Sequence, residues 1–211
     1  MDYALVLIGV FAVFIPALIL PGPDFVAVVR SSMTHGTRTG LLTTLGVSLG
    51  LCLYATLSLV GLSAILVEYR WLTWTVRVLG GSYLIYLGIR LLGAKPREIE
   101  LDRATARPPG KRAILFGFLV TLTNPKAIVL FASVFATAVT ASTPHWLMGL
   151  MIALVTASSL TWYSCVSLFM SSGPVMRRFE RARHWIERAA GVCFIGLGGK
   201  VLADAGRPVT S

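Results

Sequence analysis

The hydrophobic positions of this chain fall in long unbroken runs and do not alternate with polar positions. A helix needs about 20 apolar residues to cross a bilayer, and only lipid accommodates runs of that length. Six runs occur, the last of them short and rich in glycine, at residues 3–29, 39–67, 71–93, 113–141, 146–176 and 189–203. The pattern predicts an all-α integral membrane protein with six transmembrane helices.

The composition supports the membrane class. The chain has 211 residues, of which 55% are hydrophobic and 13% charged, whereas a soluble domain has about a quarter charged residues. A net charge of +10 would suggest a nucleic-acid partner in a soluble protein. Here the basic residues cluster between the apolar runs, so we expect a lipid bilayer as partner and no nucleic acid. No Lys or Arg precedes the first run, so we expect that segment to be retained.

The distribution of basic residues predicts the orientation in the membrane. Lys and Arg are concentrated in the gaps after segments one, three and five, whereas the gap after segment two has only Arg70 and the gap after segment four has none. Loops rich in Lys and Arg stay in the cytoplasm. We therefore predict a cytoplasmic central loop at residues 94–112, with the N- and C-termini outside.

An internal similarity divides the chain into two halves. With an offset of 110 residues, residues 81–92 match residues 191–202 at two glycines, an isoleucine, two leucines and a basic residue. An offset of 102 residues places Pro23-Asp24 on Pro125-Lys126. Glycine-rich apolar segments can also resemble each other through composition alone.

The similarity predicts two inverted repeats. Each half has three spans, an odd number, so the second half enters the membrane with the opposite orientation, as in many secondary transporters. The predicted organisation is a first three-helix repeat at residues 1–93, a basic loop at residues 94–112 and a second three-helix repeat at residues 113–211. Together they form one transmembrane domain.

Proline interrupts the first helix of each half. Pro21-Gly22-Pro23 ends one helical piece, because proline lacks a donor and clashes with the preceding turn, and Pro23 suits the first position of the next piece. In the second half Asn124 is a suitable N-cap and Pro125 a suitable first residue. Each break therefore predicts a helix N-terminus with free N–H groups that suit a carboxylate.

Asp24 and Lys126 are ionisable residues within these apolar stretches, at matching positions of the two halves. A charge at the bilayer centre costs about 2.5 to 3.5 kcal/mol on insertion scales, so such residues face a cavity or each other. We predict a substrate or ion site at Asp24, Lys126, Asn124 and Gly22, in which Asp24 takes an ammonium or a proton and Lys126 a carboxylate. The alternative is that Asp24 caps a helix and Lys126 extends to a lipid headgroup.

One string suggests an enzyme. Residues 46–50 read Gly-Val-Ser-Leu-Gly and match the G-x-S-x-G nucleophile elbow, but that elbow requires a strand before the serine and here the string lies in a helical run. The candidate bases His35, His145 and His184 lie in or beside predicted loops, and no metal-binding string occurs. We expect no catalytic residue, metal or cofactor. An intramembrane hydrolase using Ser48 and a non-transporting scaffold remain the alternatives.

The residues around the breaks resemble the LysE/RhtB family of bacterial amino-acid exporters. The matching strings are PGPDF at residues 21–25, HGTRTGLLTTLGVSLG at 35–50, GSYLIYLGIRLL at 81–92 and NPKA at 124–127. The resemblance covers nearly the whole chain. It implies proton-driven export of amino acids or close derivatives across the bacterial inner membrane. The family motif carries over to Pro21, Gly22, Pro23, Asp24, Asn124, Pro125 and Lys126.

The resemblance leaves the substrate and the assembly open. Members handle neutral or hydroxylated amino acids, homoserine derivatives or basic amino acids, so the substrate class does not carry over. The glycine-rich faces of segments two, three and six permit a homodimer, and equally permit tight packing within one subunit.

Overall fold

A computed structural model describes residues 3–62, 69–93, 110–135, 143–170 and 173–205, and every regular element within these ranges is helical. The prediction of an all-α fold is confirmed. The described α-helices are α1 (Tyr3–Ile19), α2 (Pro23–His35), α3 (Thr37–Thr56), α4 (Arg70–Leu92), α5 (Lys111–Leu122), α6 (Pro125–Leu130), α7 (His145–Cys165) and α8 (Gly173–Ala205). Short π-helical segments follow three of them: π1 (Leu57–Leu62) after α3, π2 (Phe131–Phe135) after α6 and π3 (Val166–Met170) after α7.

Several of these helices are suited to a membrane. Within the described ranges, three are long and apolar enough to cross one, at Thr37–Gly61, Trp74–Leu92 and His145–Phe169. The helices α1 and α2 make a fourth candidate if they are taken as one span, bent by 43° at the break between them. The chain is therefore a multi-pass membrane protein. Most of the predicted central loop, residues 94–109, lies outside the described residues.

The fifth apolar run, predicted at residues 146–176, is helical through α7 and π3 as far as Met170. Residues 171 and 172 lie outside the described residues, and α8 is described from Gly173. A proline follows Gly173 in the sequence and suits the first turn of a helix. The helix α8 then runs without a break through the basic stretch 177–188 and the predicted sixth segment.

Glycines bring α4 and α8 into close antiparallel contact. A Cβ atom on Gly198 would lie 2.6 Å from the carbonyl oxygen of Gly81, and a Cβ atom on Gly88 would lie 2.7 Å from that of Gly191. Side chains cannot approach a backbone so closely, so only glycine allows this helix spacing. At these positions the glycines therefore serve packing within one subunit, and the homodimer stays a prediction.

Glycines also join α3 to α5. A Cβ atom on Gly46 would overlap the carbonyl group of Ile114, and one on Gly117 would overlap that of Thr43. A Cβ atom on Gly50 would lie 2.7 Å from the Cβ atom of Thr121. This contact holds the end of α5, just before the second break, against α3.

Large aromatic side chains fill the centre of the molecule, where the two broken helices meet. Phe14 of α1 and Phe131 of π2 are fully buried and pack edge to face with ring centroids 6.0 Å apart. Phe25 at the start of α2 and Tyr163 near the end of α7 are also fully buried. These four side chains belong to one hydrophobic core to which α1, α2, π2 and α7 contribute.

Candidate functional site

The first break has the predicted geometry. The helix α1 ends at Ile19 and α2 begins at Pro23, with Gly22 as an extended N-cap residue (φ −154°, ψ −170°). The amide of Val26 donates to the carbonyl oxygen of Gly22 at 2.9 Å and closes the first turn of α2. Pro23 takes the first helical position, where its missing N–H group removes no hydrogen bond.

The second break also follows the prediction. The helix α5 ends at Leu122 and α6 begins at Pro125, with Asn124 as N-cap. The Oδ1 atom of Asn124 accepts a hydrogen bond from the amide of Lys126 at 3.1 Å. This side chain satisfies an N–H group that the start of a helix leaves without a partner. The N-terminus of α6, expected to be free for a carboxylate, is therefore partly occupied by its own cap.

Asp24 bridges the two breaks. It lies in the first turn of α2 and is only 3% exposed. Its Oδ1 accepts a hydrogen bond from Oγ1 of Thr121 at 3.0 Å, and its Oδ2 accepts one from Nδ2 of Asn124 at 2.8 Å. Asn124 therefore uses one end of its amide for its own helix and the other for Asp24, so a side chain of the first half is held by the break of the second.

Lys126 makes the opposite connection. Its Nζ donates to the carbonyl oxygens of Ala17 at 2.8 Å and Leu20 at 3.3 Å. These carbonyls lie at the C-terminal end of α1, where helix carbonyls lack intrahelical partners and the dipole favours a cation. A Cβ atom on Gly22 would lie 3.2 Å from the same Nζ. Lys126 thus turns inward to the first break and does not extend to a headgroup.

Asp24 and Lys126 face a common cavity. It has a volume of about 20 Å³, which is enough for one water molecule and less than any free amino acid occupies. Apart from the two charged residues and Tyr163, its walls are apolar. The lining residues are Phe14, Ala17, Leu18, Asp24, Leu51, Lys126, Ala127, Leu130, Phe131 and Tyr163. In this conformation the centre of the protein is closed around the charged pair.

Sequence reasoning missed three hydroxyl-bearing residues of the site. Thr121 donates to Asp24, Tyr163 lines the cavity, and the hydroxyl of Tyr54 donates to the carbonyl oxygen of Leu122 at 2.8 Å, at the C-terminal end of α5. All three lie in predicted spans that are otherwise mainly apolar. A hydroxyl side chain three residues before the second predicted break was the signal that could have identified Thr121, whereas Tyr54 and Tyr163 lie far from both breaks in the sequence.

The nucleophile-elbow reading of Ser48 is not supported by its surroundings. Ser48 lies in the interior of α3, with helix on both sides, whereas the elbow requires a turn between a strand and a helix. Its side chain is 1% exposed and its hydroxyl has no hydrogen-bond partner. Among the described residues, no cluster of three or more His, Cys, Asp or Glu side chains could hold a metal ion.

Comparison with known proteins identifies the family. The family described as LysE type translocator matches residues 15–205. Threonine efflux proteins of Salmonella typhi and Escherichia coli K12 are each 33% identical to the chain, and each alignment covers 88% of the chain and 92% of the relative. An uncharacterized membrane protein of Haemophilus influenzae is 29% identical over 91% of the chain and 93% of its own length. No solved structure shows significant similarity.

The family match and these relatives identify the chain as a membrane transporter and not as an enzyme. The chain belongs to the LysE type translocator family.

Proposed function

We propose that the protein exports small neutral amino acids from the cytoplasm across the bacterial inner membrane, in exchange for protons. The observation that carries the proposal is the crossed arrangement of the central charges, in which Asp24 binds the break of the second half and Lys126 binds the break of the first. A free amino acid carries the same two charges. Its ammonium can therefore replace the partners of Asp24, and its carboxylate can replace the partners of Lys126.

Substrate binding follows from the hydrogen bonds that hold the site closed. The substrate ammonium takes the place of Thr121 and Asn124 on Asp24, and the substrate carboxylate takes the place of the α1 carbonyls on Lys126. The exchange releases both breaks at once, since each charge holds the opposite half. Substrate binding is thereby coupled to a movement of the two halves.

Proton exchange requires one group that serves both ions. Asp24 can hold either a proton or the substrate ammonium, but not both, because a protonated carboxyl group no longer carries the negative charge that attracts an ammonium. Asp24 is also the only carboxylate among the described residues that line the central cavity. Alternate occupation of Asp24 gives antiport: the proton enters as the amino acid leaves.

The balance of charges favours a neutral substrate. The cavity lining has one carboxylate and one ammonium, and the remaining walls are apolar apart from Tyr163. A basic amino acid would bring a second ammonium for which the lining has no second carboxylate, and an unpaired buried charge is costly. The relatives named threonine efflux proteins support threonine and similar amino acids over the basic and homoserine-derived alternatives.

We propose six spans in two inverted repeats as the framework, with a cytoplasmic central loop and both termini outside. The glycine contacts support it: Gly81 packs on Gly198 and Gly88 on Gly191. An offset of 110 residues exchanges these two contacts, as a two-fold axis between the repeats requires. The π-helical segments π1 and π3 begin at Leu57 and Val166, 109 residues apart, at the ends of corresponding helices.

The test is counterflow in proteoliposomes that contain the purified protein. We expect vesicles loaded with threonine to take up labelled threonine much faster than labelled lysine. When such vesicles are diluted into threonine-free buffer, a pH indicator trapped inside should report proton entry as threonine leaves. Equal uptake of lysine would contradict the substrate class, net threonine efflux without proton entry would contradict the antiport, and no exchange of any amino acid would contradict the function itself.

A further inference from the structure

A second pocket opens between α1, α8 and π2. Its volume of about 220 Å³ is some ten times that of the central cavity and lies near the range of small-molecule sites, about 300 Å³ and above. The lining residues are Leu5, Val6, Gly9, Val10, Val134, Leu197, Lys200, Val201 and Asp204. Apart from Val134 of π2, they come from the N-terminal half of α1 and the C-terminal part of α8. The proposed orientation places this end of the molecule outside.

The two cavities lie in line along the same helices. On α1, Val10 lines the outer pocket and Phe14, four residues on, lines the central cavity. On the second half of the broken helix, Val134 lines the outer pocket and Leu130 the central cavity. Four residues correspond to about one helical turn, or about 5.4 Å. One layer of side chains therefore separates the two spaces.

That layer is apolar and tightly packed. Val10, Phe14, Leu130 and Val134 are all buried, and the ring of Phe14 packs edge to face on Phe131. Apolar side chains can rotate away with little cost in polar contacts, whereas Asp24 and Lys126 below them are held by four hydrogen bonds. The layer is thus suited to act as the barrier between the central site and the outer pocket.

The outer pocket repeats the charge pattern of the centre. Lys200 and Asp204 lie four residues apart on α8, on one face of the helix, and both line the pocket. The end of α8 is held to α4, because Nη1 of Arg77 donates to the carbonyl oxygen of Asp204 at 2.9 Å. A cation and an anion at this spacing, beside an apolar wall, complement the ammonium and carboxylate of a free amino acid.

We propose that this pocket is a second amino-acid site, on the exit side of the pathway, where Lys200 binds the substrate carboxylate before release. The proposal rests on the proposed export of neutral amino acids and on the orientation with termini outside. In this proposal Lys200 determines the affinity for amino acid on the outer side of the membrane. Asp24 and Lys126 determine the affinity on the cytoplasmic side. A zwitterionic lipid headgroup offers the same chemistry, so the experiment distinguishes the two sources.

The first arm measures access to the pocket. In a chain whose native cysteines Cys52, Cys165 and Cys193 are replaced by alanine, Gly9→Cys places a thiol on the pocket wall, where a Cβ atom meets no atom within 4 Å. We expect a membrane-impermeant maleimide to label it in right-side-out vesicles, and threonine to slow the labelling several-fold. The control is Ile8→Cys, at a neighbouring position that is 64% exposed and outside the pocket lining.

The lipid composition of the vesicles separates the two ligands. In vesicles of phosphatidylglycerol alone, threonine should still protect the cysteine at position 9. If only added phosphatidylethanolamine protects it, the pocket binds a headgroup and the proposal is overturned. Labelling at position 9 that is no faster than at position 8, or that threonine does not change, overturns it as well.

The second arm measures affinity from each side. Loss of a hydrogen bond to a charged group should raise the KM for external threonine about tenfold in Lys200→Gln, with the internal KM unchanged, and Lys200→Arg should restore it. An equal change on both sides would mean that Lys200 is merely structural. If the wild-type protein carries out counterflow but neither arm shows its expected effect, the second site alone is overturned. If the wild-type protein shows no counterflow, the proposed function is overturned first.

Discussion

The carboxylate of Asp24 accepts a 2.8 Å hydrogen bond from the side-chain amide of Asn124, the residue that caps the helix on the opposite side of the molecular centre. The carboxylate that we assign to the substrate ammonium is thus held by the residue that starts the other broken helix. Any ligand that takes the carboxylate also removes a support from that helix. The same contact supplies a way to separate folding from transport.

The first prediction concerns the position of the carboxylate. Asp24→Asn replaces the charged acceptor of Thr121 and Asn124 with a neutral amide that has one oxygen for the two donors. We therefore expect lower thermal stability and at least a tenfold loss of threonine counterflow, about the effect of one charged hydrogen bond. The double variant Asp24→Asn/Asn124→Asp restores a donor and an acceptor, and position 124 can still accept from the amide of Lys126. Stability should therefore recover in the double variant.

Transport should not recover with it, because the carboxylate then belongs to the other half of the molecule. Thermal unfolding in detergent and counterflow in vesicles, measured on the same preparations, separate the two effects. Wild-type counterflow in the double variant would show that the site needs a negative charge but not at position 24. That result would remove Asp24 from its proposed role.

The second prediction concerns the space beside Lys126. The extended backbone of Gly22 accepts any residue, but a Cβ atom there would lie 3.2 Å from Nζ of Lys126. Gly22→Ala should therefore displace the ammonium by a few tenths of an ångström and lower counterflow severalfold, with little change in stability. The control is Gly149→Ala, where a Cβ atom meets nothing within 4 Å. Equal effects of the two variants would mean that the position of Lys126 does not limit transport.

Much of the site follows from the sequence because its determinants are local. Pro23 and Pro125 favour the first position of a helix whatever packs around them. The cap at Asn124 depends only on a hydrogen bond within its own turn. The matching positions of Asp24 and Lys126 indicate that they lie together if the halves are repeats. These predictions needed no knowledge of how the helices pack.

The partners of the two charges depend on packing and were not predictable. Thr121 reaches Asp24 because glycine contacts press α5 against α3, and Lys126 finds the α1 carbonyls because the first break turns them inward. The π-helical segments likewise have no local signal in the sequence. Such wide helical turns depend on the packing around them and often occur at functional sites. A hydrophobic pattern gives the length of a span but not these features.

The third prediction concerns the glycine contact between α4 and α8. Gly88→Ala and Gly191→Ala each place a methyl group against the backbone of the other helix, at 2.7 Å and 2.9 Å from a carbonyl oxygen. We expect each to lower the free energy of unfolding by about 1–3 kcal/mol, the usual cost of overpacking. The two effects should be similar, because Gly88 and Gly191 face each other in the same contact.

The matched control is Gly196→Ala on the same helix, where the added methyl group meets no atom within 4 Å. Unfolding can be followed by the loss of monodisperse protein on heating in detergent. If Gly196→Ala were as unstable as the two interface variants, the loss would reflect the change from glycine alone. The close packing of α4 on α8 would then have no special part in stability.

The last prediction concerns the dependence of the two central charges on each other. Lys126→Gln removes the cation that shares the central cavity with the buried carboxylate of Asp24. The loss of this compensating charge should lower the free energy of unfolding by about 1–3 kcal/mol. Asp24→Asn/Lys126→Gln removes both charges, so its stability should exceed that of Lys126→Gln despite the additional substitution.

Counterflow should be absent from both variants, because neither retains the pair that binds the substrate. Stability then responds to the balance of the charges, whereas transport responds to their presence, so the double variant should differ from Lys126→Gln in stability but not in counterflow. If the double variant were less stable than Lys126→Gln, the charges would act independently in the folded protein. The proposed coupling between Asp24 and Lys126 in the transport cycle would then be contradicted.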